Sequence, residues 1–449
     1  MARRRRKPLP QGTFEATIDS LTHEGKGVTR IEGKTVFVDG ALPGERVMFR
    51  YVDRHRNYDE GQVESVIEAS GDRVAPRCPH FGICGGCSLQ HLDPARQIAI
   101  KQDVLRDNLE RLGQVRPENW LVPLTGPVWG YRRKARLGVR YVHKKGRVLV
   151  GFRERRSNFI ADLTRCEVLH PSVGERLDAL SELITGMDAR RSIPQIEVAV
   201  GDNGTALAFR HMEPLSETDL QRLTDFARQT GFMIYLQPGK PQTLAPLVPA
   251  EPELYYRLDT LNVRIDFTPL DFTQVNADIN RAMVPLALDL LDPQPDDTVL
   301  DLFAGLGNFT LALARRARSV VGVEVDELMV RRGEESARRN GLTNTRHYRA
   351  DLSAAVDDEP WLQEHYDRVL VDPPRSGALE MIPRLAALSP RRIVYVSCHP
   401  GTLARDAGLL VNDHGYRLTH AGVMDMFPHT AHVESIAVFD RHDANTSGV

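Results

Sequence analysis

Between residues 13 and 70 the chain alternates apolar and polar positions in short runs, FEATIDSLT, GKGVTRIEGKTVFVDGAL and ERVMFRYVDRHRNYDEGQVESVIEAS, broken by glycine-rich turns. Alternation at period two predicts half-buried strands, and several of them between tight turns predict a small antiparallel barrel. At residues 93–113, DPARQIAIKQDVLRDNLERLG, the spacing becomes helical after an Asp-Pro start and before a Gly stop, so one long amphipathic helix is expected. Residues 128–260 mix strands such as KARLGVRYV, RVLVGFRE, QIEVAVG and TALAFRH with the helices SVGERLDALSELITGM and SETDLQRLTDFARQTG, which predicts a central α/β layer. The proline-rich residues 238–252 read as an exposed connection. From Asp296 the order turns to strand, glycine turn, helix, strand, the pattern of an open Rossmann-like sheet. The expected division is a tail at 1–12, a barrel at 13–70, a central α/β domain at 71–262 that includes the long helix, and an α/β domain at 263–449.

A chain of 449 residues is too long for one core, which agrees with that division. Hydrophobic residues at 41% and charged residues at 26% describe an ordinary globular protein. No apolar run approaches the roughly 18 residues a membrane span needs, and the start MARRRRKPLPQG has a charged stretch with no apolar one behind it. A cytoplasmic protein without a membrane partner is expected. The net charge of −2 hides an uneven distribution: residues 131–156 hold eleven Lys or Arg against one Glu, with Tyr131, Tyr141 and Phe152 among them. Such a stretch fits contact with a polyanion whose bases stack on aromatic rings, and it equally fits a solvated basic face.

Five cysteines in such a chain point to metal binding or catalysis rather than to a disulfide framework. Cys78, Cys84 and Cys87 follow a C-x5-C-x2-C spacing around paired glycines, and Cys166 is the remaining cysteine before the last domain. Four thiolates suit zinc or an iron–sulfur cluster, and spacing alone does not separate the two. The fifth, Cys398, ends the apolar run IVYVSCHP at the carboxyl end of an expected strand. It is a candidate nucleophile at the ligand edge of an α/β sheet, or a buried cysteine acting as a small hydrophobe.

DDTVLDLFAGLGNFTLALARRA leads from a strand through Gly305 and Gly307 into a helix, where backbone amides can approach a ligand. The next strand ends at Glu324, placed to accept hydrogen bonds from ribose hydroxyls. Thr310 stands where a dinucleotide fingerprint wants Gly or Ala, and Asp301 before the loop suits a cationic methionine portion, so S-adenosylmethionine is favoured over a nicotinamide. Two further strands end at Asp351, suited to an adenine amino group, and at Asp372 in Asp372-Pro373-Pro374-Arg375.

DPPRSG with SCHP downstream, FTQVN at 272–276 and HVES at 432–435 resemble the RNA uracil-C5-methyltransferase family. The resemblance covers essentially the whole chain. With the TRAM-like barrel and the cluster cysteines it is similar to the branch that acts on 23S rRNA. It implies a class I S-adenosylmethionine methyltransferase fold, an amino-terminal OB-like TRAM β-barrel, and a central α/β domain whose Cys78, Cys84, Cys87 and Cys166 hold a [4Fe-4S] cluster. It further implies that Cys398 is the nucleophile that adds to uracil C6 and that Glu434 is the base that removes the C5 proton. Cofactor contacts are implied for Gln274, Phe303, Asn308, Glu324, Asp351 and Asp372, and a monomer acting on 23S rRNA is expected. A thiol is mostly protonated at neutral pH, so an environment that lowers the Cys398 pKa is expected, with Arg375 a candidate for doing so. Phe272 is expected either to stack on the target base or to belong to the core.

Overall fold

The computed structural model describes residues 9–22, 24–354 and 356–442. The basic run within residues 1–8 lies outside the described residues. Contacts divide the chain into two compact units, residues 1–101, 153–159 and 427–432 forming the first and residues 102–152, 160–426 and 433–449 the second.

In the first unit the alternating segments form a six-stranded sheet, in the order Phe14–Thr17, Arg46–Arg54, Tyr58–Glu68, Lys34–Asp39, Gly27–Ile31, Ser20–Leu21. Ala16, Val36, Val38, Val47 and Phe49 point inward and, with Ile18 and Ala41, make its core. Glycine is required at position 61, where a Cβ would stand 2.5 Å from the Phe49 ring. One pairing departs from the expected antiparallel barrel: Lys34–Asp39 runs parallel to Tyr58–Glu68. The chain reverses between Lys34–Asp39 and Arg46–Arg54, so a strand inserted between those two opposes only one of them, and it opposes Arg46–Arg54.

The second unit holds a six-stranded and an eight-stranded sheet, besides the antiparallel pair Tyr255–Leu258 and Val263–Asp266. The central one runs Ala245–Val248, Met233–Gln237, Thr205–Arg210, Gln195–Val200, Lys134–Val142, Arg147–Gly151. Part of the expected proline-rich connection therefore becomes an edge strand, Ala245–Val248, where a missing N–H is tolerated. Helix Glu217–Thr230 follows its sequence signals, with Ser216 Oγ accepting from the Asp219 N–H at 3.2 Å and Gly231 ending it at φ +72°.

The other sheet, eight-stranded, runs Thr345–Arg349, Ser319–Glu324, Thr298–Leu302, Arg368–Val371, Arg392–Ser397, Glu434–Arg441, Tyr416–Met424, Asn119–Trp120. Its first five strands are parallel and almost wholly apolar where central, as strands covered on both faces are. Glu434–Arg441 then runs antiparallel to both neighbours, with Ser435 opposite Ser397. The strand order reverses between Thr298–Leu302 and Arg368–Val371, and ligands of open α/β sheets bind at such a switch point. The long amphipathic helix is α-helical over Pro94–Asn108 and ends in a wider π-helical turn, Leu109–Gly113. That turn packs against helix Pro400–Asn412, and a Cβ on Gly408 would stand 2.7 Å from the Gly113 carbonyl oxygen. Among the described residues no helix is long and apolar enough to cross a membrane.

Candidate active site

Strand Thr298–Leu302 is buried along its length and opens into a loop whose Phe303, Gly305 and Gly307 have φ of +64°, +56° and +88°. Glycine adopts this left-handed backbone without cost, whereas Phe303 is held there under strain, which concentrates at functional sites. The loop is pinned to the next strand by Glu324. Its Oε2 accepts the Gly305 N–H at 2.9 Å, and its Oε1 accepts the N–H groups of Val325 and Asp326 at 2.8 and 2.9 Å.

Beneath the loop, Asp301 is fully buried. Its Oδ2 accepts the Thr310 hydroxyl at 2.5 Å, and its Oδ1 is buried without a hydrogen-bond partner among the described residues. Burial pushes the Asp301 carboxyl up to about 7, helped by the negative charges of Asp372 and Glu324. Asp372, at the end of the neighbouring strand, is likewise pushed up to about 7 by burial. Thr310, which broke the dinucleotide fingerprint, thus has a specific partner. An orphaned carboxylate oxygen in this company fits a cationic ligand, because a positive charge restores the solvation that burial removed.

Asn308 is tied to helix Ala277–Leu291. Its Nδ2 donates to Asn280 Oδ1 at 2.9 Å, while its Oδ1 accepts from Asn280 Nδ2 and from the Tyr256 hydroxyl, each at 3.0 Å. Gln274 lines a cleft with Tyr256, Asn280, Phe267, Arg133 and Arg281, so it stands in the surroundings of the Asn308 pair. Asp271 shapes the preceding segment by accepting from the Thr268 N–H at 2.5 Å and pairing with Arg332. Phe272 is 62% exposed on that segment, so it is not a core residue. Asp351 is exposed and accepts from the Ser353 N–H and hydroxyl at 3.0 and 2.6 Å, bonds that hold its carboxyl below the usual range.

Cys398 follows directly on Arg392–Ser397 and is partly buried. The chain turns there because Ser397 Oγ accepts the His399 N–H at 3.2 Å, and His399 then caps helix Pro400–Asn412 by accepting the Thr402 N–H at 3.2 Å. Glu434 is 4% exposed at the start of the adjacent antiparallel strand. Contrary to the lowered pKa expected from sequence, the Cys398 thiol is pushed up to about 11, by burial first and then by the negative charges of Glu434 and Asp372. Arg375 acts in the expected direction, favouring the thiolate, but is outweighed. The structure therefore brings Cys398, Glu434, Asp372 and Arg375 into one electrostatic neighbourhood.

Two contributors escaped the sequence reading. Asp406 is completely buried and accepts from the Ala378 N–H at 2.8 Å, the Tyr395 hydroxyl at 2.7 Å and Arg405 Nε at 2.8 Å. It fastens the loop after Asp372 to helix Pro400–Asn412 and to the strand that delivers Cys398. Val325 is an apolar residue left 52% exposed directly after Glu324.

A family model described as tRNA (Uracil-5-)-methyltransferase matches residues 257–442, and one for the TRAM domain matches residues 12–63. Over 439 residues the chain is 58% identical to the 23S rRNA (uracil(1939)-C(5))-methyltransferase RlmD of Alkalilimnicola ehrlichii, covering 98% of this chain and 99% of that one. The chain belongs to the RNA uracil-C5-methyltransferase family. The protein of the same name from Alcanivorax borkumensis is 56% identical over 440 residues, with 98% and 99% of the two chains covered. Among solved structures, the fold is similar to that of the Pyrococcus abyssi tRNA (uracil-54, C5)-methyltransferase in complex with S-adenosyl-L-homocysteine. That match has a TM-score of 0.72 and 24% identity, covering 95% of this chain and 100% of that one.

Of the cysteines expected to bind a cluster, Cys78, Cys84 and Cys87 lie in the first unit and Cys166 in the second. None of the four is joined in a disulfide, and all are partly buried. Among the described residues no three His, Cys, Asp or Glu side chains are gathered as a metal-ion site. The donor chemistry of the three-cysteine loop nonetheless fits such a group. Cys84 Sγ accepts the Gly86 N–H at 3.4 Å, and burial together with the charge of Cys78 raises the Cys84 pKa. Cys78 and Cys84 are near enough to influence each other's charge, and a cation would convert such thiols to thiolates.

Proposed function

We propose that this family member transfers a methyl group from S-adenosylmethionine to C5 of a uridine in 23S rRNA, giving 5-methyluridine, as the names of its relatives indicate for them. The observation that carries the mechanism is the neighbourhood of Cys398, Glu434 and Asp372, in which a thiol and a carboxylate on adjacent antiparallel strands act on each other. The uracil ring withdraws electrons from C5, so C5 needs activation before it can take a methyl group. Cys398 as thiolate bonds to C6, and the C5–C6 electron pair moves toward the C4 carbonyl, giving C5 carbanion character. S-adenosylmethionine supplies the methyl group from a sulfonium, a good leaving group. The Glu434 carboxylate then takes the C5 proton, the double bond re-forms and the Cys398 thiolate departs.

Gln274, Phe303, Asn308, Glu324, Asp351 and Asp372 would hold the cofactor. Glu324 would bind the ribose, Asp351 the adenine amino group, Val325 the adenine ring, and the buried carboxylates of Asp301 and Asp372 the cationic methionine end. Phe272, exposed on its segment, would stack on an unpaired base. Cys78, Cys84, Cys87 and Cys166 would hold a [4Fe-4S] cluster in a central domain at 71–262, between a TRAM barrel at 13–70 and a catalytic domain at 263–449. The chain would act as a cytoplasmic monomer, since one chain supplies every group named here. The test is transfer of labelled methyl from S-adenosylmethionine to unmodified 23S rRNA. Cys398-dependent 5-methyluridine is expected, and wild-type protein that labels no RNA would overturn the reading.

A further inference from the structure

Most of the basic run at residues 131–156 is neutralised within the protein. Arg133 pairs with Asp202, Arg136 with Glu197, and Lys145 and Arg147 with Asp162. Arg155 and Arg156 pair with Asp39. Apart from these pairs there is a smaller basic cluster that the run does not reveal, because half of it comes from fifty residues downstream.

Arg190 and Arg191 place their guanidinium carbons 5.8 and 5.3 Å from the centroid of the Tyr141 ring. His143 meets the same ring edge-on, with centroids 5.1 Å apart. Neither arginine, nor Lys144 in the adjoining turn His143–Lys145, forms an ion pair among the described residues. The turn that carries the arginines is built rather than loose. The completely buried Asp219 accepts the N–H groups of Asp188 and Ala189 at 2.8 and 2.9 Å, and Arg190 Nη1 donates to the Met187 carbonyl at 3.0 Å. The nearest acid in sequence, Asp188, accepts from the Ser216 hydroxyl at 2.9 Å instead of from either arginine.

Two like charges held beside one ring repel each other, and an anion removes that repulsion. A guanidinium matches a phosphate, and an aromatic ring with a stacked guanidinium offers a surface to an unpaired base. We propose that Tyr141, Arg190 and Arg191 form an accessory docking site for single-stranded RNA on the central sheet, separate from the sheet that carries Cys398. The proposal rests on the functional reading above in taking that RNA to be part of the methylated substrate.

The experiment measures binding of an unmodified 23S rRNA transcript at several salt concentrations, in the presence of S-adenosylhomocysteine. It compares wild type, the double variant Arg190→Gln/Arg191→Gln, the double variant Arg190→Lys/Arg191→Lys, and Tyr141→Leu. Losing two single-strand phosphate contacts should reduce the slope of log K against log salt by about 1.4 and weaken binding about tenfold. In methyl transfer the same variant should raise KM and leave kcat unchanged. The lysine variant should keep the salt slope yet recover only part of the affinity, because an ammonium does not stack as a guanidinium does. Tyr141→Leu should lose affinity with the slope intact, and unchanged S-adenosylhomocysteine binding in every variant reports intact folding. An unchanged slope and affinity in the glutamine variant would overturn the docking site. A wild type that binds with the expected slope but transfers no methyl group would overturn the functional reading and leave the docking site standing.

Discussion

Glu324 and Cys398 both stand at carboxyl ends of strands in one sheet, yet the first is fully engaged before any ligand arrives and the second is held in its unreactive form. The Gly305 N–H ties Glu324 to the glycine loop, the Val325 and Asp326 N–H groups hold its other oxygen, and Asn308 is locked by a reciprocal bond to Asn280. Cys398 sits instead among carboxylates and protein that raise its pKa to about 11. The cofactor end is thus pre-assembled, while the thiol waits for positive charge. A cationic cofactor bound near Asp372 would oppose the two influences that raise the Cys398 pKa by charge, and Arg375 would reinforce it once RNA excluded water. Such an arrangement would protect a reactive sulfur from adventitious chemistry until substrate is in place.

The comparison breaks most severely if the thiol is dispensable: Cys398→Ala should lower methyl transfer at least ~10⁴-fold, the scale for loss of a catalytic nucleophile. Next in size is the latent state itself. Only the thiolate is alkylated, so a thiol at about 11 rather than the ordinary 9.0 should react about 100-fold more slowly near neutral pH. Followed by mass spectrometry on the Cys398 peptide, its rate should rise tenfold per pH unit past pH 9, and a plateau near pH 9 would contradict the latent state.

Asp406→Asn should cost about 1–3 kcal/mol of stability, because a buried hydrogen-bonded charge loses its fit to Arg405, Tyr395 and the Ala378 N–H. Turnover should fall by roughly tenfold through the displaced loop after Asp372, a shift in kcat more than in cofactor binding. The narrowest effect, a change in pH dependence alone, concerns Asp372. Its carboxyl is raised from 3.8 to about 7 on folding, so the folded protein binds that proton more tightly than the unfolded one. The associated stability is complete below about pH 4 and is lost as pH rises to about 7. Thermal melts of cofactor-free protein should therefore fall less between pH 5 and pH 7.5 in Asp372→Asn than in wild type.

The glycine loop, the acidic strand ends and the position of Cys398 were legible because each is a local pattern, a strand followed at once by its functional turn. The same holds for the alternation of the barrel strands. What was not legible depends on partners far apart in sequence. Asp406 looks like an ordinary helical acid until Ala378 and Tyr395 close on it. Asn280 gives no signal before it meets Asn308. The parallel pairing of Lys34–Asp39 with Tyr58–Glu68 follows from where a strand is inserted, not from its composition. The direction of the Cys398 shift was misjudged for the same reason: Arg375 is conspicuous in a motif, whereas burial and the charge of Glu434 arise only in the folded sheet. The basic run could be weighed only in the folded chain, since six of its eleven charges have carboxylate partners that no local pattern announces.

The most direct test of a covalent thiol–uracil mechanism is to mix a Glu434→Gln variant with S-adenosylmethionine and unmodified 23S rRNA and run the mixture on a denaturing gel. Methylation without removal of the C5 proton should leave RNA attached to protein as a slow band, absent when Cys398→Ala is added to the variant. Multiple turnover by the Glu434→Gln variant with no attached RNA would contradict the account.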